Sequence, residues 1–356
     1  MTFGLLIVLG VNCALAWAFA DPDFYLPDPF RVSSLALIVI FVVAGFVPLR
    51  ILREPVRVLA ILTVLAVAVL ELTNFSRDYA DPRIVQSEDR LVRYTYSPGV
   101  SPGPGLPTIT GDGLLDVEHA VPKPPDVYRV VVITGSIAND GTIPFEDRFF
   151  RRLGPLLEAA LPGKRVDVVN VSCDGYNTLQ QVRSLERVGL RYEPDLVVVG
   201  FMLTSAVLQN GGHRRIGNSY FGFRFLPLVA LAREGTMCAM FAPFFERYSF
   251  DLIVRNSFER LRLLSELHDF RAVVAVLPIV ERFDDPICQD IYTLVARTAE
   301  ESGLPVIKVF DAFVGHEVTE FRKPDGRFDV AHPNTAGHAL IATATAEGVR
   351  RLQLLP

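Results

Sequence analysis

The chain has 356 residues, enough for one large domain with appendages or for two domains. Hydrophobic residues make up 50% and mean hydropathy is +0.31; the excess sits in the first 72 residues, which points to membrane segments and not to an oversized core. Formal net charge is −5 with no long basic run, which leaves nucleic-acid binding without an electrostatic footprint.

In chain order, Phe3 to Ala20 is apolar except for Asn12, and Val32 to Leu49 carries no charge. Each runs about 18 residues, near the lower limit for a membrane-crossing helix. Val58 to Leu70 is a third, shorter run between Arg57 and Glu71, which spans if those side chains snorkel and is otherwise buried or interfacial. The first intervening loop holds Asp21, Asp23 and Asp28 with Arg31; the second holds Arg50, Arg53 and Arg57 with Glu54. Positive loops stay in the cytoplasm, so the second loop is inside and everything after Phe75 is outside. Ala18-Phe19-Ala20 has the form of a signal-peptidase site, although no Lys or Arg precedes the apolar run. Cleavage there leaves the other two runs as a hairpin and the main domain on the same side. The expected organisation is therefore a membrane region over 1–75, a lead-in over 76–127 and a main domain over 128–356.

Ser76 to Pro125 is rich in proline, glycine and charge. Tyr96 to Pro107, with four prolines and three glycines, cannot hold a helix or an inner strand, and the stretch reads as a spacer. From Tyr128 the pattern changes. Arg129 to Thr134, Val166 to Val171, Leu196 to Phe201, Ala272 to Leu277 and Val306 to Phe310 are short apolar runs of the kind that strands buried on both faces require. Helical patterns lie between them, including Phe145 to Leu161 and Thr178 to Val188, and Thr335 to Leu352 closes the chain. This alternation predicts an α/β fold: a three-layer α/β/α sandwich around a parallel five-stranded sheet. Such sheets place ligands beyond the carboxyl ends of their strands, so chemistry is sought there.

Those positions hold Thr134-Gly135-Ser136 with Gly141, then Ser172 to Thr178, then Met202 to Ser205. Asp329-Val-Ala-His332-Pro-Asn-Thr-Ala-Gly-His338 opens the final helix. A serine at a strand-to-helix turn can expose its hydroxyl to a base. Asp329 and His332, three residues apart, can supply that base and the carboxylate that fixes its tautomer. His338 is expected to be structural. His119, His213, His268 and His316 show no ligand spacing, so no metal is assigned. Cys13, Cys173, Cys238 and Cys288 form no CxxC pair; with Cys13 in an apolar run, three are left, which is compatible with one bridge but not with a disulfide framework.

This arrangement resembles the SGNH hydrolase superfamily, the GDSL-like esterases, over roughly Arg129 to Leu352. The first block is matched by Gly135-Ser136 and Gly141, the second by Gly175 within Gly-Tyr-Asn-Thr178, and the fifth by Asp329 to His338. The Gly-Tyr-Asn-Thr portion is particularly similar to membrane-linked bacterial members. The resemblance implies the flavodoxin-like SGNH fold. It also implies Ser136 as nucleophile, His332 as base and then acid, Asp329 as its orienting partner, and an oxyanion hole from the Ser136 and Gly175 amides. Three departures stand out. Gly135 replaces an aspartate, Thr204 replaces the asparagine that normally completes the oxyanion hole, and Ser136 to Gly141 is one residue longer than usual.

Two functions follow. One is a membrane-anchored extracytoplasmic serine esterase or O-acyltransferase, acting on an ester such as the acetyl groups of a cell-surface glycan. The other is a catalytically impaired domain that binds glycan or organises an assembly. Nucleotide binding is set aside, since neither G-x-G-x-x-G nor a P-loop lysine is present. No cofactor is expected; the partners are an ester or acylated glycan and the lipid bilayer. Gly211 to Tyr248, with Tyr220, Phe221, Phe223 and Phe225, reads equally as a lid over the site or as an ordinary insertion.

Overall fold

The computed structural model describes residues 83–206, 237–245, 250–323 and 329–356. The three apolar runs of the N-terminus and most of the 211–248 stretch lie outside these residues. Among the described residues no helix is long and apolar enough to cross a membrane.

Five strands form one sheet: β3 (Val127–Ile133), β4 (Arg165–Asn170), β5 (Leu196–Phe201), β6 (Arg271–Val276) and β7 (Val306–Lys308), preceded in the chain by β1 (Ile84–Gln86) and β2 (Tyr94–Tyr96). Their order is β4-β3-β5-β6-β7 and every pairing is parallel. The first connection runs to one side of β3 and the later ones to the other, so the strand order reverses beside β3. That is where a doubly wound sheet opens a crevice at its carboxyl edge.

The period of two along each strand sorts the core into two halves. Val131, Ile133, Val197, Val199, Val274 and Val276 pack on one face, with residues of α2 (Thr178–Arg187), α4 (Asn256–His268) and α5 (Pro286–Glu301). Val130, Val132, Leu196, Val198, Val273 and Ala275 pack on the other, with α1 (Phe149–Glu158) and α6 (Thr335–Arg351). All twelve strand side chains are buried, and each valine or larger residue removed from water contributes about 1.5–3 kcal/mol. α6 lies very close to the sheet. A side-chain carbon on Gly348 would stand 2.5 Å from Ile307 Cγ2, so only glycine fits there. The three-layer sandwich expected from the strand–helix alternation is thus observed, with strand boundaries within two residues of those read from the sequence.

The stretch read as a spacer is different. Among its described residues, β1 and β2 pair antiparallel, with Ile84 opposite Tyr96. Val92, Tyr94, Tyr96, Ile109 and Leu115 are buried in a third cluster with Cys173 and Tyr176. Five apolar or aromatic side chains, three at alternate positions and two much further along, sustain no helical or strand period, which is why composition alone made this segment look like a tether. Tyr96 closes β2, and the 97–107 portion that follows is free of helix and strand, as its prolines and glycines require.

Cys238 and Cys288 form a disulfide with Cα atoms 5.1 Å apart. It joins α3 (Met237–Phe245) to the first turn of α5. Cys173 is free and buried.

Candidate active site

β3 ends at Ile133, and two residues later the chain turns sharply into a single 3-10 turn that begins at Ser136. Ser136 is half-buried, so its hydroxyl stays reachable. The 329–332 turn is brought to it by backbone and side-chain bonds. The Val280 amide, just past β6, donates to the Val330 carbonyl (2.6 Å). Asn334 caps α6 by accepting from the Gly337 amide (3.1 Å) and donates to the Glu320 carbonyl (2.8 Å). The asparagine of His-Pro-Asn therefore serves as a cap that aims the preceding histidine.

The three residues singled out from the sequence meet in one line. Ser136 Oγ is 2.7 Å from His332 Nε2, and His332 Nδ1 is 2.7 Å from Asp329 Oδ1. The His332 amide also donates to Asp329 Oδ1 (3.2 Å), which fixes the carboxylate to the turn that carries its partner. Asp329 Oδ2 accepts from Lys323 Nζ (3.2 Å). Partial burial pulls the Asp329 carboxyl up, but the His332 hydrogen bond and the Lys323 charge outweigh it and bring it down to about 2. At neutral pH Asp329 is therefore an anion, able to hold the Nδ1 proton. Nε2 is then free to take the serine proton.

The candidate oxyanion residues Gly175 and Thr204 lie on the loops that follow β4 and β5. Gly175 has φ +74°, a left-handed conformation that glycine adopts without a Cβ penalty. A side-chain carbon on Gly135 would stand 3.7 Å from the Tyr176 carbonyl, so the Ser136 turn and the Gly175 loop run side by side. After β5, Thr204 lies half-buried on the turn Leu203–Ala206. Its neighbour Ser205 turns inward, where its Oγ accepts from the Met202 amide (3.1 Å) and its carbonyl accepts from the Thr178 hydroxyl (3.0 Å). Ser205 is thus spent on holding β5 to α2.

Several residues that shape this site were not singled out from the sequence. Tyr94 OH donates to the Asp174 carbonyl (2.8 Å), and Tyr176 OH donates to the Tyr94 carbonyl (2.6 Å). The Asp174 amide donates to Tyr96 OH (3.3 Å), and Asn139 Nδ2 donates to the same hydroxyl (3.0 Å). Strand β2 of the lead-in therefore grips the loop that carries Gly175. Only the cluster of three tyrosines among buried polar partners could have signalled this, and it is scattered over 83 positions of sequence.

His338 stands behind the triad, not in it. It is fully buried, its Nδ1 accepts from the Phe149 amide (3.1 Å) at the start of α1, and its ring stacks on Phe149. Burial depresses its pKa to about 4, so it is neutral, as an acceptor at Nδ1 must be. Its expected structural role fits this geometry. Of the remaining histidines, His213 lies outside the described residues. Among the described residues no group of three or more His, Cys, Asp or Glu side chains is placed to hold a metal.

The parallel five-stranded sheet and its three layers agree with the fold that the sequence resemblance implies. Solved structures similar to this chain include an α/β hydrolase from the metagenome of Lake Arreo, Spain, with 18% identity and a TM-score of 0.41. That likeness covers 64% of this chain and 97% of the hydrolase. An acetylxylan esterase from Geobacillus stearothermophilus matches with 17% identity over 62% of this chain and 94% of its own, at a TM-score of 0.42. A further acetyl xylan esterase matches at 12% identity over 62% and 99%, with a TM-score of 0.40. No family model matches the chain, and no curated protein matches it.

Proposed function

We propose that this chain is an SGNH-type serine ester hydrolase or O-acyltransferase, anchored in a membrane and working outside the cytoplasm. The observation that carries the proposal is the unbroken line Ser136 Oγ–His332 Nε2, His332 Nδ1–Asp329 Oδ1, with both contacts at 2.7 Å. In this mechanism His332 takes the Ser136 proton as Oγ attacks the ester carbonyl. The Ser136 and Gly175 amides, with the Thr204 hydroxyl, receive the charge that develops on the carbonyl oxygen. His332 then returns the proton to the departing alkoxide, which leaves an acyl-serine. Water completes hydrolysis; a sugar hydroxyl completes transfer; in each case His332 removes the incoming proton and returns it to Ser136.

The membrane and the outward orientation rest on the apolar runs at the N-terminus and on the charge asymmetry of their loops. The Cys238–Cys288 bridge supports an oxidising compartment, since cytosolic thiols are kept reduced. The acetyl ester of a cell-surface glycan is the substrate class that the similarity to membrane-linked family members suggests.

The test is fluorophosphonate labelling of the full chain in detergent, with the adduct located by mass spectrometry. An adduct on Ser136 that disappears in Ser136→Ala and weakens in His332→Ala supports the enzyme. No adduct in a folded protein removes it and favours the second reading, a glycan-binding or assembly domain. The observation behind that second reading is Thr204, since loss of one oxyanion donor lowers turnover about 10²–10³-fold. Thr204→Asn separates the two: an impaired but intact triad gains labelling rate when the longer amide donor is supplied, whereas a pure binding domain does not respond.

A further inference from the structure

A cationic side chain bridges the two ends of the site that the sequence keeps far apart. Lys323 Nζ lies 3.2 Å from Asp329 Oδ2 and 2.5 Å from Asp140 Oδ2. Asp140 belongs to the turn that follows Ser136, within the first motif block, and Lys323 lies just before the fifth. The ammonium is nearly buried, with 13% of its side chain exposed, and Asp140 is at 6%. Asp140 is itself fixed, because its Oδ1 accepts from the Thr142 amide (2.9 Å) and the Thr142 hydroxyl (2.8 Å). A long lysine held at both ends in this way has given up its rotamer freedom, which a surface lysine keeps.

We propose that Lys323, clamped by Asp140, is a positioning residue for the triad: it holds Asp329 ionised and aimed at His332. This rests on the serine-esterase reading above. The geometry requires the pairing. Asp329 has two oxygens; one is committed to His332, and the other would otherwise be open to solvent or a proton. A carboxylate that takes a proton on Oδ2 holds the imidazole less strongly. The ammonium blocks that protonation and restricts rotation about Cβ–Cγ, so Oδ1 stays in line with Nδ1.

Asp329 faces His332 and Lys323; Lys323 faces Asp329 and Asp140. Behind Asp140 lie Arg148, fully buried, and His338, which is neutral. Burial raises the Asp140 carboxyl, but Lys323 and Thr142 lower it further, so it remains the anion that Lys323 needs. Lys323 thus sits between two carboxylates, and its removal leaves one positive charge fewer beside the His332–Asp329 pair. Protonating that pair then becomes easier, and a higher pH is needed to keep the base free.

The experiment measures the rate of fluorophosphonate labelling of Ser136 in the full chain from about pH 4 to about pH 9, for wild type, Lys323→Met and Lys323→Arg. Lys323→Met is expected to move the acid limb upward by about one pH unit, the lower end of what an adjacent charge does to a carboxylate. The rate below the midpoint falls about tenfold, and Lys323→Arg restores the wild-type limb. Lys323→Met leaves Asp140 buried without its cation. Where that variant fails to fold, Asp140→Asn/Lys323→Met removes both charges and still moves the limb upward, by less, because Lys323 touches Asp329 directly and the lost Asp140 anion offsets only part of the change. An acid limb that stays in place in a folded, labelled variant overturns the assignment and leaves the esterase intact. Wild type that does not label at Ser136 takes both down together.

Discussion

His332 and His119 are both hydrogen-bonded to aspartate, yet only one of them has a nitrogen to offer. His332 gives Nδ1 to Asp329 and turns Nε2 to the Ser136 hydroxyl (2.7 Å each). His119 gives Nδ1 to Asp167 (2.8 Å) and Nε2 to Asp116 (3.1 Å), so both nitrogens face carboxylates. Its side chain is 3% exposed, and Arg129 on β3 forms an ion pair with the other oxygen of Asp167 (3.3 Å). Burial pulls the His119 pKa down, but the hydrogen bonds from Asp116 and Asp167 outweigh it and raise it to about 9. An imidazolium with two anionic acceptors keeps its protons at neutral pH and cannot serve as a base. The comparison teaches that a histidine beside an aspartate is read from its second nitrogen: a hydroxyl there makes a base, a second carboxylate makes a structural cation.

The crossed substitutions break this comparison most sharply. His332→Ala is expected to lower Ser136 labelling about 10³-fold or more and to leave the unfolding midpoint close to wild type, since the ring is half-buried. His119→Leu is expected to do the reverse. It leaves Asp116, which is fully buried, without its cationic partner and costs about 3–5 kcal/mol in urea unfolding, while labelling of the folded fraction is unchanged. The pH dependence sharpens the same point. The folded-state pKa of His119 lies above its ordinary value of 6.5, so its contribution is complete below 6.5 and is lost as pH rises through about 9. A His119→Leu protein whose stability no longer falls over that window supports the assignment; one that keeps the wild-type slope points to another group.

His338 supplies the third case and a smaller effect. It is buried neutral, with a folded-state pKa of about 4 against 6.5. The unfolded chain therefore binds a proton that the folded chain refuses, and stability declines as pH falls from 6.5 to about 4, by up to about 3 kcal/mol. Below that, this group contributes no further slope. Thermal unfolding of wild type and His338→Asn over this range measures it. The variant is expected to be less stable at neutral pH and flatter on the acid side.

The parts of the molecule that were legible in the sequence are those with a local signature. β3, β5 and β6 each carry a valine-rich apolar run because both of their faces are covered, and such runs stand out without a partner in view. Ser136, Asp329 and His332 could be singled out because each sits at a strand end or in a short spaced motif. Asp140 and Lys323 were not, because an ion pair 183 positions apart leaves no periodic trace. The Cys238–Cys288 bridge was left open for the same reason: three cysteines allow several pairs, and only the fold brings two of them together. His119 showed no ligand spacing, and its partners Asp116 and Asp167 belong to a loop and to β4, so its charge could not be read.

The lead-in is the region where composition misdirected the reading, and it yields the subtlest prediction. Its buried tyrosines are not a tether: Tyr94 bonds the Asp174 carbonyl, one residue before Gly175, and Tyr176 bonds back to Tyr94. Each such bond is worth about 1 kcal/mol. Tyr94→Phe keeps the ring, 5% exposed and edge-on to Tyr176, and removes only the hydroxyl that steadies the Gly175 loop. A loop that holds an oxyanion donor matters more in the transition state than in the bound ester, so a loss there shows in kcat and not in KM. With a soluble acetyl ester as substrate, kcat is expected to fall about three- to tenfold at unchanged KM, in line with that one bond. An equal rise in KM would mean that the lead-in shapes ester binding and not the oxyanion loop. An unchanged kcat would mean that Tyr96 and Asn139, which bond the same loop from its other side, hold it without Tyr94.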